Sequence, residues 1–284
     1  MKATKGKIRV AVCQFAESFS PRRNAAVMRR TMQKAAGKAD IVHFHEAALT
    51  GYLARKEAPE RTGGWWTDVR ESVESICAEA KRLRLWVILG AAHRLTPPHK
   101  PTNCLYLIGP DGKVRDRYDK RFCTGGDLTA YSPGDRFVVF NLNGVKCSLL
   151  ICFDLRFPEL YRRLSALGVQ ALFQSFHNGY MDGPGIHNRI MRRTVQAHAG
   201  INYLWISANN SSGHYSRWPS ILVQPDGDAA ATLTQNRAGM MVRTIDTTRT
   251  FYDASRDFRA AAIRGVLHSG RLVKDARQRD TRSV

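Results

Sequence analysis

Short apolar runs alternate along this chain with amphipathic stretches of helical period. Ile8-Arg9-Val10-Ala11-Val12-Cys13-Gln14-Phe15 reads as a first strand, and Ser20-Pro21 offers an N-cap and a first-turn proline. The helix that follows carries Val27, Met28, Thr31, Met32, Ala35 and Ala36 on one stripe, and Gly37 ends it. Asp40 to Phe44 returns as a strand. A second helix sets Val69, Val73, Ile76, Cys77, Ala80 and Leu83 at helical spacing, and Trp86 to Gly90 is another buried strand. This order predicts right-handed crossovers and a sheet with helices packed on it.

The middle of the chain reads as hairpins. Cys104–Ile108 and Lys113–Tyr118 flank the turn Gly109-Pro110-Asp111-Gly112, and Arg136–Asn141 and Val145–Phe153 flank Asn143-Gly144. Pro158–Leu167 is helical, Gln170–Phe176 a strand, His187–Ala199 helical and Tyr203–Ala208 a strand. A last hairpin turns at Gln224-Pro225-Asp226-Gly227, and Gly239 to Ile245 closes the strands. The two Pro-Asp-Gly turns hint at pseudo-repetition. No low-complexity linker separates the halves, so one α/β domain over residues 1–284 is expected. A short basic segment, 1–7, precedes it. From about residue 266 it ends in an exposed tail or an arm wrapping a neighbouring subunit.

Composition narrows the class. The chain has 284 residues, with 44 basic against 24 acidic and a formal charge of +20. The paired arginines are dispersed over predicted helices, where solvated faces account for them, so a nucleic-acid surface is the alternative reading. No apolar run is long enough to span a bilayer and no signal-like segment opens the chain, so a cytoplasmic protein is expected. Six cysteines without close pairing or a C-x-x-C fit reduced thiols. Cys147 and Cys152 differ by an odd step, which points them to opposite faces of a straight strand.

Three polar groups end or follow strands. Glu46 closes Ile41-Val42-His43-Phe44-His45-Glu46, Lys120 lies in Arg117-Tyr118-Asp119-Lys120-Arg121, and Cys152 ends the apolar run from Leu149. A carboxylate can take a thiol proton, a thiolate can attack an electrophilic carbon, and an ammonium can stabilise the charge that then builds on the substrate. His43 and His45 share one strand face beside Glu46, but two histidines without a third clear ligand make a poor metal site. His45 reads instead as a group that tunes the pocket beside Glu46.

These segments resemble the nitrilase, or carbon–nitrogen hydrolase, superfamily. His45-Glu46 through Leu49-Thr50-Gly51-Tyr52 matches its glutamate segment, Tyr118-Asp119-Lys120-Arg121 its lysine segment, and Ile151-Cys152-Phe153-Asp154-Leu155-Arg156-Phe157-Pro158-Glu159 its cysteine segment. The likeness runs over roughly residues 8–265. It implies a four-layer αββα sandwich, commonly paired as a homodimer or higher homo-oligomer, with no metal or organic cofactor. It also implies Cys152 as nucleophile, Glu46 as base and acid, Lys120 as stabiliser, and the Phe153 backbone N–H as an oxyanion donor. The partners would be a small amide and water, through a thioester.

Many members carry a second glutamate before a Pro-Gly turn; here Asp127 stands in that place, ahead of Pro133-Gly134. Phe122-Cys123 replaces a common His-Leu pair, and Cys123 reads as packing. The residues after Cys152 are closer to amidase-like branches than to nitrilases, which favours an amide over an N-carbamyl amine or a nitrile. Arg156 and Glu159 are expected to brace the turn as an ion pair. His177 and Asn178 sit where the family often lines its pocket.

Overall fold

The structure is a computed structural model that describes residues 4–282. Residues 1–3 of the basic N-terminal segment and residues 283–284 of the tail lie outside the described residues. The elements run β1 (Lys7–Gln14), α1 (Pro21–Ala35), β2 (Ile41–Phe44), α2 (Gly63–Leu83), β3 (Trp86–His93), β4 (Thr102–Ile108), β5 (Val114–Asp119) and the short α3 (Asp127–Ala130). There follow β6 (Val139–Leu142), β7 (Val145–Ile151), a 3-10 turn (Cys152–Arg156), α4 (Pro158–Ala166), β8 (Ala171–Phe176), α5 (Ile186–Asn202) and β9 (Trp205–Asn210). The chain ends with β10 (Ile221–Val223), β11 (Ala229–Thr232), β12 (Gly239–Asp246), α6 (Arg256–Ile263) and α7 (Ala276–Arg279).

Two six-stranded sheets form, in the orders β12-β1-β2-β3-β4-β5 and β11-β10-β9-β8-β7-β6. In the first, β1, β2 and β3 are parallel and β12, β4 and β5 join antiparallel. In the second, β7, β8 and β9 are parallel and β6, β10 and β11 join antiparallel. The halves repeat one plan: α1 and α2 connect β1, β2 and β3 as α4 and α5 connect β7, β8 and β9. The Pro-Asp-Gly turns close the corresponding hairpins β4–β5 and β10–β11. Gly239–Asp246 does not extend the last hairpin; it crosses to pair with all of β1, from Lys7↔Asp246 to Gln14↔Gly239.

The period-2 pattern decides which face goes where. In β1, Ile8, Val10 and Val12 enter the core between the sheets, while Ala11 and Cys13 pack beneath Met28 and Met32 of α1. Ile41 and Ile88 point inward with them, and Val42, Phe44, Val87 and Leu89 outward against the helices. Leu160 and Leu164 of α4 and Val195 and Ala199 of α5 cover the other sheet. Helix, sheet, sheet, helix is the resulting stack, and burial on both faces explains why the central strands read as nearly continuous apolar runs.

Local signals behave as expected at α1, where Ser20 accepts from the Arg23 N–H and Pro21 opens the helix. Three boundaries differ. β7 stops at Ile151, because Cys152 has φ +40° and turns the chain out of the strand. Tyr203 is the left-handed C-cap of α5, with φ +53°, so the next strand begins only at Trp205. His45 lies beyond β2, which ends at Phe44, and therefore does not share a strand face with His43. Past residue 263 the chain is exposed from Arg264 to Arg282, and α7 buries nothing. No helix among the described residues is long and apolar enough to cross a membrane.

Candidate active site

The parallel strands of both sheets send their following loops to one end of the sandwich, and the reactive groups collect there. Glu46 follows β2 and lies over β3, where Leu49 N–H donates to the Gly90 carbonyl at 2.9 Å. A side chain at Gly90 would put its Cβ 2.0 Å from the His45 carbonyl oxygen, so only glycine lets the glutamate loop lie this close. Lys120 follows β5. Gly134 of the Pro-Gly turn donates to its carbonyl at 2.8 Å, and a Cβ there would meet Asp119 at 2.5 Å.

Glu46, Lys120 and Asp127 form one buried cluster, none more than 1% exposed. Lys120 Nζ is 2.9 Å from Glu46 Oε1 and 2.9 Å from Asp127 Oδ2. Asn103 Nδ2 donates to the same Glu46 Oε1 at 2.7 Å, which leaves Oε2 buried without a hydrogen-bond partner. Asp127 is held further by Thr124, whose N–H and Oγ1 reach Oδ2 at 2.8 and 3.1 Å, and by the Tyr52 hydroxyl on Oδ1.

Burial alone would strip the Lys120 proton, but Glu46, Asp127 and other negative neighbours outweigh it and hold the ammonium charged well above the ordinary lysine range. Burial likewise opposes ionisation of Asp127, and Lys120, Tyr52 and Thr124 overcome it, lowering its pKa. Burial raises the Tyr52 pKa, so it stays a phenol and can donate. One ammonium between two carboxylates leaves this cluster a net negative charge.

Cys152 opens the 3-10 turn in the left-handed region, a conformation that costs an L-residue about 1–3 kcal/mol and recurs at functional sites. The turn is held by Asp154: its Oδ2 accepts from the Ile151 N–H at 2.9 Å and from Tyr118 Oη at 2.7 Å, its Oδ1 from the Phe122 N–H at 2.9 Å. One carboxylate thus ties the cysteine turn of one sheet to the lysine segment of the other. Burial lifts it to about 6 despite those donors. The Phe153 N–H lies in the first turn, where helical geometry supplies no carbonyl for it.

Burial and the negative charge of Glu46 raise the Cys152 pKa, against Lys120 and the His177 backbone N–H. The resting sulfur is therefore a thiol. Asn178 Nδ2 stands 3.9 Å from it, while Asn178 Oδ1 accepts from Trp218 Nε1 at 2.7 Å. The His177 ring stacks on Tyr52 at 4.7 Å between centroids and donates from Nε2 to Glu17 Oε1 at 2.7 Å.

The structure thus brings Glu46, Lys120, Asp127, Cys152, Phe153, His177 and Asn178 to one end of the sandwich. It also adds Glu17, Tyr52, Asn103 and Asp154, which the sequence reading passed over. Asp154 was within the cysteine segment itself, two residues past Cys152, and Tyr52 ended the glutamate segment; both had a positional signal. Glu17 and Asn103 had none.

Two expectations are corrected. Arg156 and Glu159 are both exposed and no ion pair joins them among the described residues, since the turn is already braced from within by Asp154. His43 is buried between the sheets, 2.9 Å from Ser175 Oγ and 2.9 Å from Ser207 Oγ, and burial lowers it to about 3, so it is a neutral inter-sheet bridge. No group of three or more metal-type side chains gathers among the described residues. Cys123 is half-buried and raised by burial to about 11, as suits a packing thiol. A surface cavity of about 430 Å³ beside α2, around Trp66, His93 and Arg94, holds none of the residues above.

Comparisons agree with this arrangement. An (R)-stereoselective amidase from a Pseudomonas species is 28% identical over 183 residues, 63% of this chain and 61% of its own length. The chloroplastic omega-amidase of Arabidopsis thaliana is 24% identical over 261 residues, 84% of this chain and 68% of that one. Among solved structures, a nitrilase-superfamily amidase from Nesterenkonia AN1 superposes with a TM-score of 0.75 at 20% identity, covering 94% of this chain and 100% of that one. A further structure of it, at the same TM-score, identity and coverage, shows covalent addition of the acetamide moiety of fluoroacetamide at its active-site cysteine. Because the family model for carbon-nitrogen hydrolases matches residues 9–251, most of its length, the chain belongs to that family.

Proposed function

We propose that this carbon–nitrogen hydrolase cleaves a small linear amide through a thioester on Cys152. The observation that carries this reading is the single buried ammonium bridging Glu46 and Asp127 beside a cysteine in a strained turn. A thiol with a raised pKa needs a base, and Glu46 keeps one oxygen, Oε2, without a partner to take the proton. The thiolate attacks the amide carbon, forming the C–S bond while the carbonyl electrons move to oxygen. Lys120 and the Phe153 N–H face that negative charge. Glu46 returns the proton to the amide nitrogen, the C–N bond breaks, and ammonia or an amine leaves. A water, deprotonated by the same carboxylate, then hydrolyses the thioester to the acid and the free thiol.

The amidases among the relatives support the amide, and the covalent cysteine adduct of the Nesterenkonia amidase supports the nucleophile. N-carbamyl amines and nitriles are alternative substrates of the same site. A homo-oligomer is the expected assembly, to be measured by size-exclusion with light scattering. The deciding experiment incubates wild type and Cys152→Ala with a panel of aliphatic and ω-amides and follows ammonia release and intact mass. Wild type should release ammonia and carry an acyl adduct absent from the variant. Equal release by both proteins overturns the cysteine route. A steep salt-dependent binding of DNA or RNA with no turnover of any amide would favour the basic-surface alternative.

A further inference from the structure

We propose that Glu17 is a positioning residue of this site: its carboxylate fixes the His177 ring against Tyr52, and through Tyr52 it fixes Asp127 on Lys120. The role rests on the amide-hydrolase reading above. Glu17 lies in the loop after β1 and is only 3% exposed. A carboxylate so far from water costs several kcal/mol unless it is paired and hydrogen-bonded, so its burial calls for a reason.

Its partners come from three distant segments. Oε1 accepts from His177 Nε2 at 2.7 Å and Oε2 from Ser211 Oγ at 2.6 Å, 160 and 194 residues along the chain. His45 Nε2 lies 3.7 Å from Oε2, too far for a hydrogen bond and otherwise unpartnered. Glu17 therefore clamps loops of both sheets around Glu46 and Cys152.

The connection to the reacting groups is a short series of contacts. The His177 ring lies 4.7 Å from Tyr52 with 20° between their planes, which sets where the phenol sits. That phenol donates to Asp127 Oδ1, and Asp127 Oδ2 holds Lys120 at 2.9 Å. A short aspartate has less reach than the glutamate other members use, so its second oxygen depends on a fixed donor. A shift of His177 would also move its own backbone N–H, which faces the Cys152 sulfur.

Charge reinforces geometry. The groups around His177 are Glu17, Glu46, His45, Arg55, Tyr52 and Tyr180. Burial and Arg55 disfavour its imidazolium, but Glu17 foremost, then Glu46, outweigh them, so the ring holds its proton to higher pH than an ordinary histidine. Burial also works against the Glu17 carboxylate, and His177, His45 and Ser211 lower it to about 2. In Glu17→Gln the amide oxygen can still accept from Nε2–H while the charge is gone. His177 should then lose its proton at lower pH without the fold changing.

The test measures kcat and KM across pH for wild type, Glu17→Gln and Glu17→Asp, with His177 followed by NMR titration and assigned through His177→Gln. Glu17→Gln should lower kcat by about 10- to 100-fold with little change in KM. The alkaline limb of the profile should move down by about one pH unit or more, together with the His177 titration. Glu17→Asp, which keeps the charge, should keep the wild-type limb even if slower, and it serves also if the glutamine variant fails to fold. Wild-type kcat and profile in Glu17→Gln overturn the proposal, even if the His177 titration moves. If wild type hydrolyses no amide, the substrate reading fails separately, and alkylation of Cys152 by iodoacetamide decides the role of Glu17. A rate several-fold slower in Glu17→Gln supports it; an unchanged rate overturns it.

Discussion

Two buried charge clusters stand on either side of Tyr52, and they are built in opposite ways. In one, a single ammonium, Lys120, is shared by two carboxylates, Glu46 and Asp127. In the other, a single carboxylate, Glu17, faces two imidazoles, His177 at 2.7 Å and His45 at 3.7 Å. The first cluster carries excess negative charge and keeps its lysine protonated far above neutrality, so its charge state is fixed while one carboxylate oxygen stays free for a proton. The second holds groups that titrate nearer neutrality. The difference teaches a division of labour: a charge pattern that does not change with pH beside the thiol, and an adjustable one behind it. The repeat of the fold deepens the comparison, because Glu17 follows β1 as Cys152 follows β7.

Removing the shared ammonium should have the largest effect. Lys120→Met leaves Glu46 and Asp127 buried without a counter-charge, which should cost about 3–5 kcal/mol in urea unfolding. The same variant should lower kcat by about 10²- to 10³-fold through loss of the donor facing the oxyanion. Asp127→Asn should come next. Lys120 keeps Glu46, so stability falls by about 1–3 kcal/mol while ammonia release drops several-fold. A larger loss of activity than in Glu17→Gln would place Asp127 nearer the reacting atoms, as the contacts have it.

The pH dependence of stability separates the clusters further. Glu17 has a pKa of about 2 in the fold against 4.5 free, so its stabilisation is present above pH 4.5 and lost as pH falls toward 2. Asp154 is lifted to about 6 from 3.8, so the stability it contributes is full below pH 3.8 and lost as pH rises through 6. Thermal melts of Glu17→Gln should therefore converge on wild type below pH 3. Those of Asp154→Asn should change least with pH between 4 and 6, where wild type loses this contribution. The smallest effect belongs to the surface: Arg22→Ala breaks exposed pairs with Asp68 and Glu71 and should shift unfolding by less than about 1 kcal/mol. A larger shift would mean that exposed pairs here do more than screening allows.

Much of this was readable along the chain, for local reasons. Ser20 and Pro21 start a helix because an N-cap oxygen and a fixed φ act within one turn. Asn143-Gly144 and the Pro-Asp-Gly turns close hairpins because the left-handed positions they need are cheap for those residues. Glu46, Lys120 and Cys152 stood out because each lies where an apolar run gives way to polar sequence. The misplaced features were those decided by other parts of the chain. Gly239–Asp246 looked like a continuation of the hairpin before it, yet the free edge of β1 claimed it. Arg156 and Glu159 looked like a helix-start pair, but Asp154 already satisfied the turn.

The sequence by itself determined the alternation of strands and helices, the two-faced strands, and the loops in which the reactive groups sit. It did so because hydrophobic period, caps and turn residues act over a few positions. Only the tertiary structure decided which carboxylates meet which cations. Glu17 meets Ser211 across 194 residues, and Lys120 meets Glu46 across 74. Such meetings leave no periodic trace, because they depend on how two sheets stack and which loops then share a space closed to water. There, desolvation makes every unpaired charge costly, and the partner that offsets it is fixed by packing rather than by distance along the chain.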